Sequence, residues 1–224
     1  MADDSTAAGA PDRFAQAVAL YEAGEDARAL DECRAARAQQ PDEPRIWQLE
    51  GVLLTRLEQP APAADALARA VALSPGDPAL RFQHASLLLH LDRADEADAA
   101  LEALLALAPD HVDGLRALAK LCRRRDELDR SVATWERLLR LVPDDVAAWT
   151  SLGWCHAARL DFGHAEACLR RAAVLAPDSA ASHVAHARIL RSVDDPEAAL
   201  AAADRAIALE PSMAEAHAVR AGVL

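Results

Sequence analysis

Six prolines of this chain lie 34 residues apart, with no residue inserted or lost over five intervals. They are Pro41, Pro75, Pro109, Pro143, Pro177 and Pro211. A fixed period of this length is typical of a chain built from similar helical units that stack on one another. Each unit then buries its apolar face on its neighbours, so the period predicts one elongated array without a central core. Such arrays present a long surface to partners.

The recurring proline defines the boundaries of the predicted repeats. When it is counted as repeat position 32, the chain divides into six repeats, which are residues 10–43, 44–77, 78–111, 112–145, 146–179 and 180–213. Residues 214–224 have the pattern of the first helix of a seventh repeat, so we predict an incomplete repeat or a cap. Residues 1–9 are small and polar, and we expect them to be disordered.

Two helices are predicted in each repeat. Repeat positions 4, 7, 8 and 11 are spaced to share one helical face, and so are positions 20, 24 and 27. Gly24 is suited to end the first helix of repeat one. Pro60 of repeat two and Pro196 of repeat six, both at position 17, are suited to the first turn of the second helix in their repeats. Small residues at positions 8 and 20 would let the helices approach closely. We therefore expect Trp149 to lie between two helices, over Gly153.

The fifth repeat carries a recognisable motif. It has an aromatic residue, Leu-Gly, a second ring, two small residues around a leucine, and the proline: Trp149, Leu152, Gly153, His156, Ala165, Leu169, Ala172 and Pro177. This pattern resembles the tetratricopeptide repeat, and the resemblance covers residues 10–224. In the first, third and sixth repeats the first aromatic residue of the motif is replaced by Arg13, Arg81 and His183. The resemblance implies an all-α, right-handed α-solenoid of antiparallel helix pairs. It also implies an adaptor or scaffold that binds proteins and is not an enzyme.

Composition and charge narrow the classes of partner. The chain has 24 Lys and Arg against 36 Asp and Glu, a net charge of −12, which disfavours nucleic acid as a partner. No apolar run reaches the roughly 20 residues of a membrane span. No signal peptide is visible, and the four cysteines form no CxxC pair, so we expect reduced thiols in the cytoplasm.

Repeat positions 2, 5, 9, 12 and 13 form a second stripe on each first helix, which lines the concave groove in tetratricopeptide arrays. In repeats two to six this stripe holds eight Lys and Arg and one acid, Asp113. Because the whole chain is acidic, we expect the acids to lie elsewhere and the groove to attract an acidic peptide. The candidate groove residues are Arg45, Gln48, Arg56, Phe82, His90, Arg116, Lys120, Arg123, Arg124, Trp154, Arg188 and Arg191.

No catalytic residue, metal site or cofactor is predicted. His183, His186 and His217 could in principle converge on a metal, but they occupy packing positions. Cys155 and His156 are adjacent on a helix, so their side chains diverge and form no dyad. The chain has no Gly-rich phosphate loop.

The sequence is also compatible with a second function and raises a third for comparison. The array could be the substrate-recruitment arm of a larger bacterial enzyme, because tetratricopeptide arms precede glycosyltransferases, sulfotransferases and hydroxylases. An open reading frame beyond Leu224 would favour that interpretation, and a stop codon would favour the adaptor. An RNA-binding pentatricopeptide array is disfavoured, because its repeats usually have 35 residues and lack the motif from Trp149 to Gly153.

Overall fold

The computed structural model describes residues 12–223, and this part of the chain is all α-helical, without strands. The predicted fold class is therefore confirmed. The segment predicted to be disordered, residues 1–9, lies outside the described residues. Within each of the two units described below, successive helices are joined by short turns and pack on each other.

The chain divides into two compact units, Met1–Ala108 and Pro109–Leu224. The described part of the first unit contains the helices α1 (Arg13–Glu22), α2 (Asp26–Gln39), α3 (Pro44–Arg56), α4 (Pro60–Leu73), α5 (Pro78–His90) and α6 (Ala94–Leu107). The described part of the second unit contains α7 (Val112–Arg124), α8 (Leu128–Leu141), α9 (Val146–Ala158), α10 (Phe162–Leu175), α11 (Ala180–Ser192), α12 (Pro196–Leu209) and α13 (Ala214–Ala221).

Small residues lie where paired helices come closest. Repeat positions 8 and 20 are buried in every pair from α1–α2 to α11–α12. A Cβ on Gly51 would lie 2.7 Å from Cγ of Leu67, and one on Gly153 would lie 2.7 Å from Cγ of Leu169. Real Cβ atoms do not approach so closely, because interiors are already close-packed. The predicted close approach of the two helices is confirmed.

The first helix of every pair from α1–α2 to α11–α12 ends in the same backbone turn. The residue at repeat position 15 has a φ between +56° and +77°, the left-handed region, at Gly24, Glu58, Asp92, Asp126, Leu160 and Asp194. The next residue then donates to a carbonyl five residues back, as Glu25 does to Leu20 at 2.9 Å. This hydrogen bond defines a Schellman motif, which satisfies carbonyls at the helix end. The predicted C-cap role of Gly24 is confirmed.

Repeat position 4 has a shared function that explains its variable residues. In five first helices its side chain donates an N–H to the carbonyl of the preceding proline, at 2.7–2.9 Å; the donors are Trp47, Arg81, Trp149, His183 and His217. Leu115 has no N–H to donate, and Arg137 instead donates to the carbonyl of Pro109. Tryptophan, arginine and histidine can replace one another here because each carries a planar N–H donor.

The predicted position of Trp149 was wrong. Its side chain is only half-buried, because the indole N–H is held at the carbonyl of Pro143. The surface of Gly153 is covered by Leu169, from repeat position 24 of the partner helix. A motif residue that looks like a core aromatic is therefore a hydrogen-bonded residue at the edge of the helix pair.

Candidate peptide-binding surface

The candidate residues lie on the first helix of each pair, at repeat positions 2, 5, 9, 12 and 13, which we call the inner stripe. Arg45, Gln48 and Arg56 lie on α3, and Phe82 and His90 on α5, in the first unit. The second unit carries the other candidates, which are Arg116, Lys120, Arg123 and Arg124 on α7, Trp154 on α9, and Arg188 and Arg191 on α11.

In the first unit, two arginines of the inner stripe stack on aromatic rings. The guanidinium of Arg45 lies 5.2 Å from the ring centroid of Phe14, and that of Arg56 lies 4.9 Å from the centroid of Tyr21. Such contacts are worth about 0.5–1 kcal/mol at exposed sites. Phe14, Tyr21, Arg45 and Gln48 line a small pocket of about 240 Å³ between α1 and α3.

The other first-unit candidates have different environments. Gln48 donates from Nε2 to Oε1 of Gln83 at 3.1 Å, which joins α3 to α5. Phe82 is half-buried, whereas His90 is exposed at the end of α5. Arg56 also forms an ion pair with Asp26 at 3.0 Å. Arg45, Gln48 and Arg56 are therefore already engaged in contacts within the first unit.

Arg116 in the second unit has a structural role. It forms an ion pair of 2.6 Å with Asp145, the N-cap of α9. Burial alone would raise the pKa of Asp145, but the hydrogen bonds from Arg116 and from the backbone N–H of Ala148 lower it below its usual value. Arg116 thus fixes the start of α9, and its charge is largely neutralised.

Three exposed cations lie further along the same helix. Lys120, Arg123 and Arg124 are all exposed on α7. Neither Lys120 nor Arg123 forms an ion pair with any residue in the range that the structure describes. These two residues leave positive charge available on the surface of the second unit.

Trp154 forms an arginine-capped ring on the same stripe. The guanidinium of Arg188 lies 4.7 Å from the centroid of Trp154 and also pairs with Glu215 at 2.9 Å. The indole packs on a core cluster that includes Leu169 and Ile189. Lys120, Trp154 and Arg188 all occupy repeat position 9, so they succeed one another along consecutive first helices.

The predicted separation of charge, with the acids away from the groove, was wrong in part. Asp26, Asp145 and Glu215 neutralise Arg56, Arg116 and Arg188 of the stripe. Asp26 begins a second helix and Asp145 caps a first one, and neither is a stripe position. Glu215 is at position 2, in the partial seventh repeat, which the stripe of repeats two to six omits.

Two aromatic residues of the site were missed from the sequence. Phe14 and Tyr21 occupy inner-stripe positions 5 and 12 of the first repeat, which was not included in the stripe. Extending the same positions to residues 10–43 would have found both rings.

The three histidines considered as metal ligands do not converge. His183 and His217 each hold a proline carbonyl, and Nε2 of His186 lies 3.0 Å from Oε1 of Glu166. All four cysteines are buried. Burial raises the pKa of Cys33 to about 12 and that of Cys168 to about 11, so both remain protonated thiols.

A second, larger cavity lies in the second unit, away from the inner stripe. It measures about 930 Å³ between α8, α9 and α10, and its wall includes Trp149, His156, His164, Cys168 and Val174. Val174 is exposed here.

None of the described helices is long and apolar enough to cross a membrane.

Sequence models of a family of helix-pair repeats match the chain. A sequence model described as a tetratricopeptide repeat matches residues 14–78 and 123–180, and a second with the same description matches residues 78–111. The chain belongs to the tetratricopeptide repeat family. Tetratricopeptide proteins act as protein-interaction scaffolds. No curated protein sequence matches the chain.

Solved tetratricopeptide structures share the fold at low sequence identity. YrrB, described as a tetratricopeptide protein, aligns with a TM-score of 0.71 at 16% identity, over 84% of this chain and 97% of that one. MamA from Desulfovibrio magneticus RS-1 aligns with 0.69 at 18%, over 76% and 97%. PilF of Pseudomonas aeruginosa aligns with 0.67 at 16%, over 94% and 96%. These likenesses concern the fold alone.

Proposed function

We propose that this protein is a non-enzymatic scaffold that binds an extended acidic peptide segment along its inner stripe. The observation that supports the proposal is the arginine-capped ring, which recurs at Phe14, Tyr21 and Trp154. A guanidinium stacked on a ring can bind a carboxylate through its N–H edge. Arg56 and Arg188 already bind Asp26 and Glu215 in this way, so a peptide carboxylate would exchange with these partners there and would bind Arg45 directly. The ring beneath offers apolar contact to a neighbouring side chain of the peptide.

The exposed cations Lys120 and Arg123 extend this chemistry in the second unit. Each contact between exposed charges is worth only about 0.2–1 kcal/mol, so affinity must come from several contacts together. An extended peptide supplies them, because its alternate side chains face the same surface. YrrB is described as having an unusual peptide-binding site, and we propose the same class of ligand here from the residues of this chain.

The test uses two labelled peptides that differ only in charge. In one, glutamates alternate with leucines, and in the other glutamines replace the glutamates. We expect the acidic peptide to bind more tightly in fluorescence anisotropy, and its binding to weaken between about 0.05 M and 0.5 M salt, because salt screens exposed charges. Equal binding of both peptides would contradict the proposal.

A matched pair of variants locates the binding. Lys120→Glu with Arg123→Glu reverses two charges on the inner stripe. Arg170→Glu with Arg205→Glu makes the same change of charge at exposed positions of the second helices α10 and α12. We expect the first pair to weaken binding by about tenfold or more and the second to retain most of it. Equal losses would indicate a general charge effect and would contradict the site.

The same surface could serve a free scaffold or the recruitment arm of a larger enzyme. In the second case the gene would encode a catalytic domain downstream of the array. Reading the coding frame beyond codon 224 separates the two, and peptide binding by the array is expected in both.

A further inference from the structure

Two histidines and an aspartate come together at the turn between α9 and α10 in the second unit. His156 lies in the last turn of α9, Asp161 is the N-cap of α10, and His164 lies in its first turn. Nδ1 of His156 is 3.3 Å from Oδ2 of Asp161, and Nδ1 of His164 is 2.8 Å from the same atom. One ligand atom from each residue lies within 4.8 Å of the other two.

The imidazole of His156 is the unusual member of this cluster. Its residue is only 6% exposed, and its Nδ1 is buried without a hydrogen-bond partner. The carboxylate of Asp161 is close enough to Nδ1, but its direction makes no hydrogen bond. A buried polar atom left unpaired costs about 1–3 kcal/mol. Something that bonds to Nδ1 would remove this cost.

We propose that His156, Asp161 and His164 form a binding site for a zinc ion. Imidazole nitrogen and carboxylate oxygen are both established zinc ligands. Ligands at about 2.0–2.1 Å from a tetrahedral ion lie about 3.3–3.5 Å from one another. The 3.3 Å between Nδ1 of His156 and Oδ2 of Asp161 already has this value.

His164 completes the site by a small movement. Its ring is stacked on that of His156, with centroids 5.2 Å apart, and it hydrogen-bonds Asp161. Because its side chain is 74% exposed, the ring can turn Nδ1 towards the ion without disturbing the core. The ion replaces the hydrogen bond between His164 and Asp161 with two bonds to the metal.

Three protein ligands leave the fourth position of a tetrahedral ion for water or for a bound group. His156 and His164 both line the 930 Å³ cavity between α8, α9 and α10. Two of the three ligand residues therefore border this cavity, from which a carboxylate or imidazole of a ligand could reach the fourth position. This site is separate from the inner stripe, so its test does not depend on peptide binding there.

The test measures binding of zinc to the protein without a histidine tag. Calorimetric titration with Zn²⁺ should give one site per chain, and Co²⁺ in its place should give the visible absorption of a tetrahedral ion. His164→Gln removes an exposed ligand, and Asp161→Asn removes the carboxylate while keeping a residue suited to the N-cap. We expect each variant to weaken zinc binding by more than about tenfold, since even outer-shell changes weaken metal binding by about 10–100-fold.

The control is His217→Gln, which removes an exposed histidine outside both the cluster and the inner stripe and should leave zinc binding unchanged. Circular dichroism checks that each variant is folded. Absence of a Zn²⁺ signal in the wild type would overturn the proposal. So would wild-type affinity in folded His164→Gln, which would place any bound zinc at other histidines.

Discussion

The two units share one repeat pattern but differ strongly in charge. Met1–Ala108 contains 9 Lys and Arg against 19 Asp and Glu, a net charge of −10, whereas Pro109–Leu224 contains 15 against 17, a net charge of −2. Of the eight basic inner-stripe residues, the first unit holds only Arg45 and Arg56, and the second holds six. The buried positions of the repeat set the fold, and they leave the stripe to vary independently between the units.

The largest expected effect comes from repeat position 24, which holds Cys33, Leu67 and Leu101 in the first unit and Trp135, Leu169 and Ala203 in the second. Cys33 and Trp135 differ strongly in size, and both are almost fully buried. Trp135→Ala should lower the free energy of unfolding by about 3–5 kcal/mol, whereas Cys33→Ala should cost only about 1 kcal/mol. Urea unfolding followed by circular dichroism measures both changes.

The indole N–H of Trp135 is buried without a hydrogen-bond partner. Trp135→Phe removes this group and keeps most of the ring, so it should cost clearly less than Trp135→Ala. Equal costs for the two variants of Trp135, or for Trp135→Ala and Cys33→Ala, would contradict this account of the core.

Matched substitutions at repeat position 4 should lower the free energy of unfolding by similar amounts in the two units. Trp47→Phe and Trp149→Phe each remove an N–H that donates to a proline carbonyl, at 2.7 Å and 2.8 Å, and each keeps an aromatic ring. We expect both to cost about 0.5–1.5 kcal/mol, the usual net value of a hydrogen bond. A loss of more than about 3 kcal/mol in the free energy of unfolding of Trp149→Phe would contradict this account and would support the buried position predicted from the sequence.

The smallest changes in the free energy of unfolding are expected at repeat position 15, where the backbone is left-handed. Gly24 has φ +77° and room for a Cβ, so Gly24→Ala should cost about 1 kcal/mol through the backbone alone. Leu160 in the second unit has φ +62° and is 75% exposed. Leu160→Gly should therefore raise the free energy of unfolding by about 0.5 kcal/mol. Effects of the same sign at both positions, measured by urea unfolding, would show that backbone strain is not the cause.

The features that repeat with the period were accessible from the sequence. Gly24, Pro60 and Pro196 lie at the helix ends where their backbone preferences place them. Gly51 and Gly153 lie at close contacts between helices. Each of these placements results from a local preference that does not depend on distant residues.

Features that depend on pairs of side chains were not accessible. The role of Trp149 required the location of the Pro143 carbonyl, and the ion pair of Arg116 required Asp145, the N-cap of α9. His156 and His164 lie on different helices, so no helical spacing relates them. Side-chain pairs of this kind become visible only when the helices are placed together.

We propose that the second unit, which holds six of the eight basic inner-stripe residues, carries the stronger peptide-binding surface. The direct measurement compares the affinity of the acidic peptide for Lys120→Glu with Arg123→Glu in the second unit and for Arg45→Glu in the first. We expect the second-unit pair to weaken binding by about tenfold or more, which is 1.4 kcal/mol, and Arg45→Glu to weaken it by about twofold or threefold. A large loss in Arg45→Glu, with wild-type affinity in a folded second-unit pair, would contradict the claim.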